Sequence, residues 1–197
     1  MSEKFITHIA QYADLSQEEV KYIQSHVPTR SYKKGEIIFR EGVISDTIYF
    51  VLQGCVRLYY NVEGDEKTAF FYTEGKFICA GESYTFNVAA KENYQALEET
   101  TLMLFDKQTI EHLLAIFPKF ELIARVATED ELITCQRMIA SFITKSPEER
   151  YRELFQTNGQ LFQRVAQQYI ASYLGVSPET LSRIKKRVHK KEHAKRS

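Results

Sequence analysis

The twenty residues from Gln167 to Lys186, QQYIASYLGVSPETLSRIKK, constrain this chain more than any other stretch. Ile170 and Leu174 stand one helical turn apart, so they share one face of a first helix. Ala171 is small, as a residue under a closely crossing second helix must be. Gly175 ends the first helix and tolerates the left-handed backbone that a sharp turn requires. Val176 fills the corner. Ser177 caps the next helix, Pro178 occupies its first turn and Glu179 suits its positive end. Leu181 and Ile184, three apart, face inward. The segment therefore predicts a helix, a Gly turn and a second helix packed as a unit. Its outward set is Ser177, Glu179, Thr180, Ser182, Arg183, Lys186 and Arg187, with Gln168 on the first helix.

Those outward residues are the chemistry of a duplex reader. A recognition helix enters the major groove with its leading residues at the base edges. Arg183 has the planar fork that pairs with guanine through two hydrogen bonds, whereas Lys185, Lys186 and Arg187 suit phosphate contact, which positions without specifying sequence. Charge points the same way. The chain has 26 basic and 26 acidic residues, but from Lys145 onward twelve Lys/Arg stand against five Asp/Glu. The last quarter thus carries +7 and the rest −7, which predicts a polyanionic partner for the C-terminal region alone.

Ahead of this region the pattern changes twice. Residues 1–26 predict helix, with Ser16 and Glu19 spaced as a capping box. From about Arg30 to Phe105, short runs rich in Tyr, Phe, Ile and Val are punctuated by Lys34-Gly35, Glu41-Gly42, Gln53-Gly54, Glu63-Gly64-Asp65 and Glu74-Gly75. Many short strands at this spacing predict a β-sandwich or β-barrel. Helical periodicity returns with Thr109–Phe117, closed by Pro118, and a long helix over about 119–144. On it Leu122, Val126, Ile133, Ile139 or Ala140, and Ile143 form an apolar stripe, to be buried in a core or in a subunit seam. Ser146-Pro147-Glu148-Glu149 opens a further helix. No run approaches the roughly 20 apolar residues that a membrane helix needs. The opening Met1-Ser2-Glu3-Lys4 lacks a secretory pattern, and Cys55, Cys79 and Cys135 are too scattered for a disulfide frame or an iron–sulfur cluster. These features predict a cytoplasmic protein.

With these motifs in hand, the chain resembles the Crp/Fnr family of bacterial transcription regulators. The resemblance rests on Lys34-Gly35-Glu36-Ile37-Ile38-Phe39-Arg40-Glu41-Gly42, on Ile48–Leu58, and on Ile170–Gly175 followed by Glu179-Thr180-Leu181-Ser182-Arg183. It implies an α+β chain: a cyclic-nucleotide-binding-like double-stranded β-roll with an N-terminal helix over 1–118, a long dimerising helix over 119–144, and a helix-turn-helix domain with a basic tail over 145–197. It implies a homodimer on double-stranded DNA, with Glu179 and Arg183 at base edges. It also implies a small-molecule effector and, for an activator, a contact with RNA polymerase. Only thirteen residues follow Ile184, so the usual wing is expected to be missing, with Lys190, Lys191, Lys195 and Arg196 forming an unstructured basic tail.

The resemblance places an effector pocket at Gly81, Glu82, Ser83, Tyr94 and Gln95. Cyclic-AMP binders of the family carry Gly-Glu and then Arg-Ser, the arginine gripping the phosphate. Here Gly81-Glu82-Ser83 keeps the first pair, but Tyr94-Gln95 replaces the second, and a neutral pair cannot supply a charge-assisted guanidinium contact. Cyclic nucleotide is therefore not expected as a cofactor. For the haem-sensing branch of the family, Cys79 or His26 would be the ligand. Two other readings compete. A cupin-type metalloenzyme needs clustered histidines, but His8, His26, His112, His189 and His193 all lie outside the strand region, and the chain has no P-loop or dinucleotide glycine pattern. The other is a ligand-binding regulatory module without DNA-reading activity.

Overall fold

A computed structural model describes residues 3–196, with side-chain surroundings given through Val188 and for Lys190. Two short helices open the chain, α1 (Glu3–Ile9) and α2 (Gln17–His26), where sequence predicted one helical stretch. The break has a local cause. The Ser16 side chain accepts from the Glu19 N–H (3.3 Å), and Glu19 accepts from the Ser16 N–H (2.6 Å), so a new helix nucleates at residue 17.

Eight strands follow: β1 (Thr29–Tyr32), β2 (Ile37–Phe39), β3 (Thr47–Gln53), β4 (Val56–Val62), β5 (Asp65–Tyr72), β6 (Phe77–Ile78), β7 (Asn93–Ala96) and β8 (Thr100–Asp106), with α3 (Gly81–Phe86) between β6 and β7. They form two four-stranded sheets, ordered β1-β8-β3-β6 and β2-β7-β4-β5. Two departures from the sequence reading stand out. Strand β1 was not foreseen as a separate element, and antiparallel pairing with β8 from Thr29↔Met103 to Tyr32↔Thr100 supplies it. Gly81, Glu82 and Ser83, named as pocket residues with no helix foreseen, open the helix α3.

Turn chemistry fixes the register. Glu63 (φ 54°) and Gly64 (φ 90°) are both left-handed, the backbone of the two-residue hairpin turn that matches strand twist. Gly54 (φ +104°) has no room for a side chain, since a Cβ there would lie 2.6 Å from the Thr100 Cα.

After β8, Asp106 caps α4 (Lys107–Ile116) by accepting from the Thr109 N–H at 2.7 Å. Helix α5 runs Lys119–Thr144, bounded as predicted by Pro118 and by the Ser146 cap of α6 (Pro147–Asn158). Then come α7 (Leu161–Arg164), α8 (Gln167–Tyr173) and α9 (Pro178–Arg196). No strand follows α9 among the described residues. The tail backbone was expected to be unstructured but continues α9 to Arg196, since Lys, Arg and Glu are good helix formers. The side chains of Lys191, Lys195 and Arg196 lie outside the described residues.

Two compact units result. The first holds residues 1–58 and 71–132, the second residues 59–70 and 133–197. Phe5, Ile9, Ile23, Val27, Phe50, Leu52, Met103, Phe105, Leu113, Phe120 and Ile123 form one core in the first unit. Tyr151, Leu154, Leu161, Val165, Ile170, Ala171, Leu174, Leu181, Ile184 and Val188 are buried in the second.

Candidate nucleic-acid interface and effector pocket

The second unit contains the predicted helix pair. Helix α8 closes with the Leu174 N–H on the Ile170 carbonyl (3.0 Å), and Gly175 takes φ +68°. The Val176 N–H then returns to the Ala171 carbonyl at 3.0 Å. Ala171 is fully buried, so the small residue does sit where the chain doubles back. Ser177 caps α9, its hydroxyl accepting from the Thr180 N–H at 3.2 Å. Leu181, Ile184 and Val188 are buried and recur at three-to-four-residue steps.

Away from that buried stripe lie Glu179, Arg183, Lys186 and Lys190, all exposed, with Arg187 exposed at its flank, Thr180 and Ser182 half-buried at the edges, and Ser177 exposed at the helix N-terminus. Gln168 is exposed on α8. The structure thus brings the predicted residues onto one side of α9 and adds detail that the sequence did not carry. Arg183 Nε donates to the Glu179 carbonyl at 3.4 Å. The Glu179 carboxyl, at the positive end of α9, is held below the usual range, chiefly by its own backbone N–H and then by the Ser177 hydroxyl. Arg187, expected to be outward and free, is ion-paired with Glu148 of α6 at 3.4 Å, and Glu148 also holds Arg152 at 3.1 Å. Lys185 lies over the Phe162 ring at 5.9 Å.

The turn is buttressed from α6. Arg150 donates to the Leu174 carbonyl through Nη2 (2.9 Å) and Nε (3.3 Å), and to the Lys145 carbonyl through Nη1 (2.8 Å). Its guanidinium stacks 4.5 Å from the Phe142 ring centroid. The tip of the β4–β5 hairpin belongs to this same unit, and the Ser172 hydroxyl accepts from the Thr68 N–H at 2.8 Å.

In the first unit, Glu82, Ser83, Tyr94 and Gln95, expected to line an effector pocket, are each bonded to other residues of the unit. Glu82, in the first turn of α3, is ion-paired with Lys91 at 2.8 Å and its side chain is 56 % exposed. Ser83 is buried and accepts from the Ser45 N–H at 2.8 Å. The Tyr94 hydroxyl donates to the Cys79 carbonyl at 3.1 Å. Gln95 donates to the Gly35 carbonyl and accepts from Arg57 Nε, both at 2.9 Å. Arg57, on β4, is 0 % exposed. Sequence reading missed it because VRLY is buried at every position, which erases the alternation that would assign a side chain to a face. The roll therefore does contain a guanidinium, reaching Gln95 from a strand remote in sequence.

Comparison with known proteins places these features. Residues 29–117 match the cyclic nucleotide-binding domain family. The chain is 26 % identical over 164 residues to the nitrogen fixation regulation protein FixK of Rhizobium meliloti, covering 78 % of this chain and 72 % of that protein. It is 24 % identical over 176 residues to the transcriptional activator protein Anr of Pseudomonas protegens, covering 83 % and 71 %. The chain is similar to Crp/Fnr-type regulators. Its fold is that of FixK2 from Bradyrhizobium japonicum, with a TM-score of 0.72 at 21 % identity over 84 % of this chain and 86 % of the other. The chain joins an antiparallel roll, a long helix and a C-terminal helix pair, and no helix among its described residues is long and apolar enough to cross a membrane.

Proposed function

We propose that this Crp/Fnr-type chain is a DNA-binding transcription regulator, acting in the cytoplasm as a homodimer on a palindromic operator. The observation that carries the reading is the face of α9 described above: Ser177, Glu179, Arg183 and Lys186 exposed together, over Leu181 and Ile184 buried beneath. Arg183 would read guanine, a contact worth about 1–3 kcal/mol of discrimination. Ser177 and Thr180 sit at the leading end, and Lys186 supplies phosphate contact. Arg187 does so after exchanging Glu148 for a phosphate.

Dimerisation is assigned to α5. Leu122, Ile133, Ile139 and Ile143 of its stripe are exposed, Ile139 to 58 % and Ile143 to 78 %. A helix with so much apolar surface in water calls for a partner, and a second copy of the same helix supplies one. Two-fold symmetry then sets half-sites about 34 Å, or about 10 base pairs, apart. An effector bound by the first unit would act by favouring one of two arrangements of this helix pair, and an activator would further contact RNA polymerase.

Cyclic nucleotide is not the proposed effector. Glu82 is turned to Lys91, Ser83 is bonded to Ser45, and Tyr94-Gln95 stands where a charged pair would grip the phosphate. Calorimetry with cyclic AMP tests this. Saturable binding lost in Arg57→Met would reverse it and identify Arg57 as the phosphate contact.

Enrichment of duplexes from a random library tests the main reading. Recovered sequences should share inverted half-sites at the spacing given, and sedimentation at micromolar concentration should give twice the chain mass. Unrelated sequences and a monomer would contradict it.

A further inference from the structure

The first unit contains a cavity of about 570 Å3 that lies apart from Tyr94, Gln95 and Arg57. It is walled by α1 (Phe5, His8), β6 with its preceding turn, α3, β8 (Phe105), α4 (Leu113, Leu114) and the first half of α5 (Ile123, Ala124, Ala127). All of these belong to one compact unit. The volume falls within the range of pockets that take drug-sized ligands, and most of the wall is apolar. Ala124 and Ala127 contribute only a methyl each on the α5 side, which leaves the space open.

The charged side chains Lys76, Asp130, Glu131 and Glu74 at its border are already matched. Lys76 is ion-paired with Asp130 at 2.7 Å. Glu131 accepts from the Tyr72 hydroxyl at 2.9 Å, and Glu74 accepts from the Gly54 N–H at 2.9 Å. Burial raises the Glu131 carboxyl, and burial together with Lys76 lowers His8. Against three carboxylates and one ammonium, an anionic ligand would meet net negative charge. The ammonium and each of the carboxylates already have counterparts, so none calls for a charged ligand.

We propose that this cavity is a binding site for an uncharged, largely apolar small molecule. Such a ligand would touch the face of α5 that carries Ile123 and Ala127. Leu122 and Val126 each precede these residues by one position, about 100° round the same helix turns, in the stripe assigned above to the dimer seam. Binding itself does not depend on the DNA-reading function.

The test uses the full chain and the neutral fluorescent probe N-phenyl-1-naphthylamine. Saturable, blue-shifted fluorescence at micromolar probe is expected. Ala127→Trp, which fills the space, should weaken binding at least tenfold, and the smaller Ala127→Leu should weaken it measurably while retaining the wild-type circular dichroism and melting curve. Phe86→Ser removes an apolar ring that is 71 % exposed outside the cavity and should leave probe affinity unchanged. No saturable binding, binding indifferent to both Ala127 variants, or binding lost in Phe86→Ser would overturn the proposal. A duplex-binding assay on ligand-free protein, run in parallel, reports on the regulator reading alone.

Discussion

Arg150 of α6 places two donors on the carbonyl of Leu174, the last residue before the turn between α8 and α9. That carbonyl belongs to a helix C-terminus, where backbone acceptors lack intrahelical partners. A guanidinium there satisfies the acceptor and matches the negative end of the helix dipole. The geometry of the proposed reader is thus held by a residue 24 positions earlier in the chain.

Arg150→Ala should therefore lower the stability of the second unit by about 1.5–3 kcal/mol, the range for a charged hydrogen bond. It should weaken binding to every duplex alike. Arg150→Lys should rescue little, because a point charge cannot reproduce two donors to Leu174 and a third to Lys145. Thermal denaturation and DNA titration of both variants check this.

Gly175 supports a second expectation. Its φ of +68° disfavours any Cβ, and one built there would lie 3.0 Å from the Phe142 ring. Gly175→Ala should cost about 1–2 kcal/mol, and Gly175→Asn less, since Asn tolerates the left-handed region. Equal melting temperatures for wild type and Gly175→Ala would show that the turn relaxes freely.

A pH dependence follows from Glu19. Burial alone would raise its carboxyl, but the Ser16 N–H and hydroxyl and the Lys119 ammonium at 2.9 Å outweigh it, leaving the group below its ordinary 4.5. A carboxylate whose pKa is depressed by folding stabilises the protein above its unfolded value. That contribution is lost as pH falls through the folded value. The wild-type melting temperature should thus drop more steeply than that of Glu19→Gln between about pH 5 and about pH 3. Parallel curves would exclude Glu19 as a source of acid sensitivity.

Arg183 and Lys186 should separate in their effects. Arg183→Ala should relax sequence preference at one position and weaken specific binding by about 1–3 kcal/mol. Lys186→Ala should weaken specific and random duplex equally and lower the salt slope by about one. Competition binding with both duplex types distinguishes them, and identical behaviour of the two variants would refute the assignment.

The helix pair was legible because its signals are local: Gly175, Ser177, Pro178 and the spacing of Leu181 and Ile184 act within two turns. Helix α5 was bounded as well, since Pro118 and the Ser146-Pro147 cap are strong punctuation. What escaped depends on contacts distant in sequence. Strand β1 is supplied by β8, Arg57 meets Gln95 across 38 residues, and Arg187 meets Glu148 across the fold of the second unit. Sequence placed the effector residues at Gly81, Glu82, Ser83, Tyr94 and Gln95; of these Gly81 borders the cavity of about 570 Å3, whose wall takes Phe5, Leu113 and Ala127 from three separate helices, a juxtaposition that no short window displays.

The central claim is that the exposed side of α9 binds duplex DNA. Fluorescence anisotropy of a labelled genomic duplex, titrated with the full chain at low and at physiological salt, tests it most directly. The account predicts tight binding at low salt that falls steeply as counterions compete, and weaker binding at both concentrations for Lys186→Ala. Absence of binding at low salt, or affinity indifferent to salt and to Lys186, would contradict it.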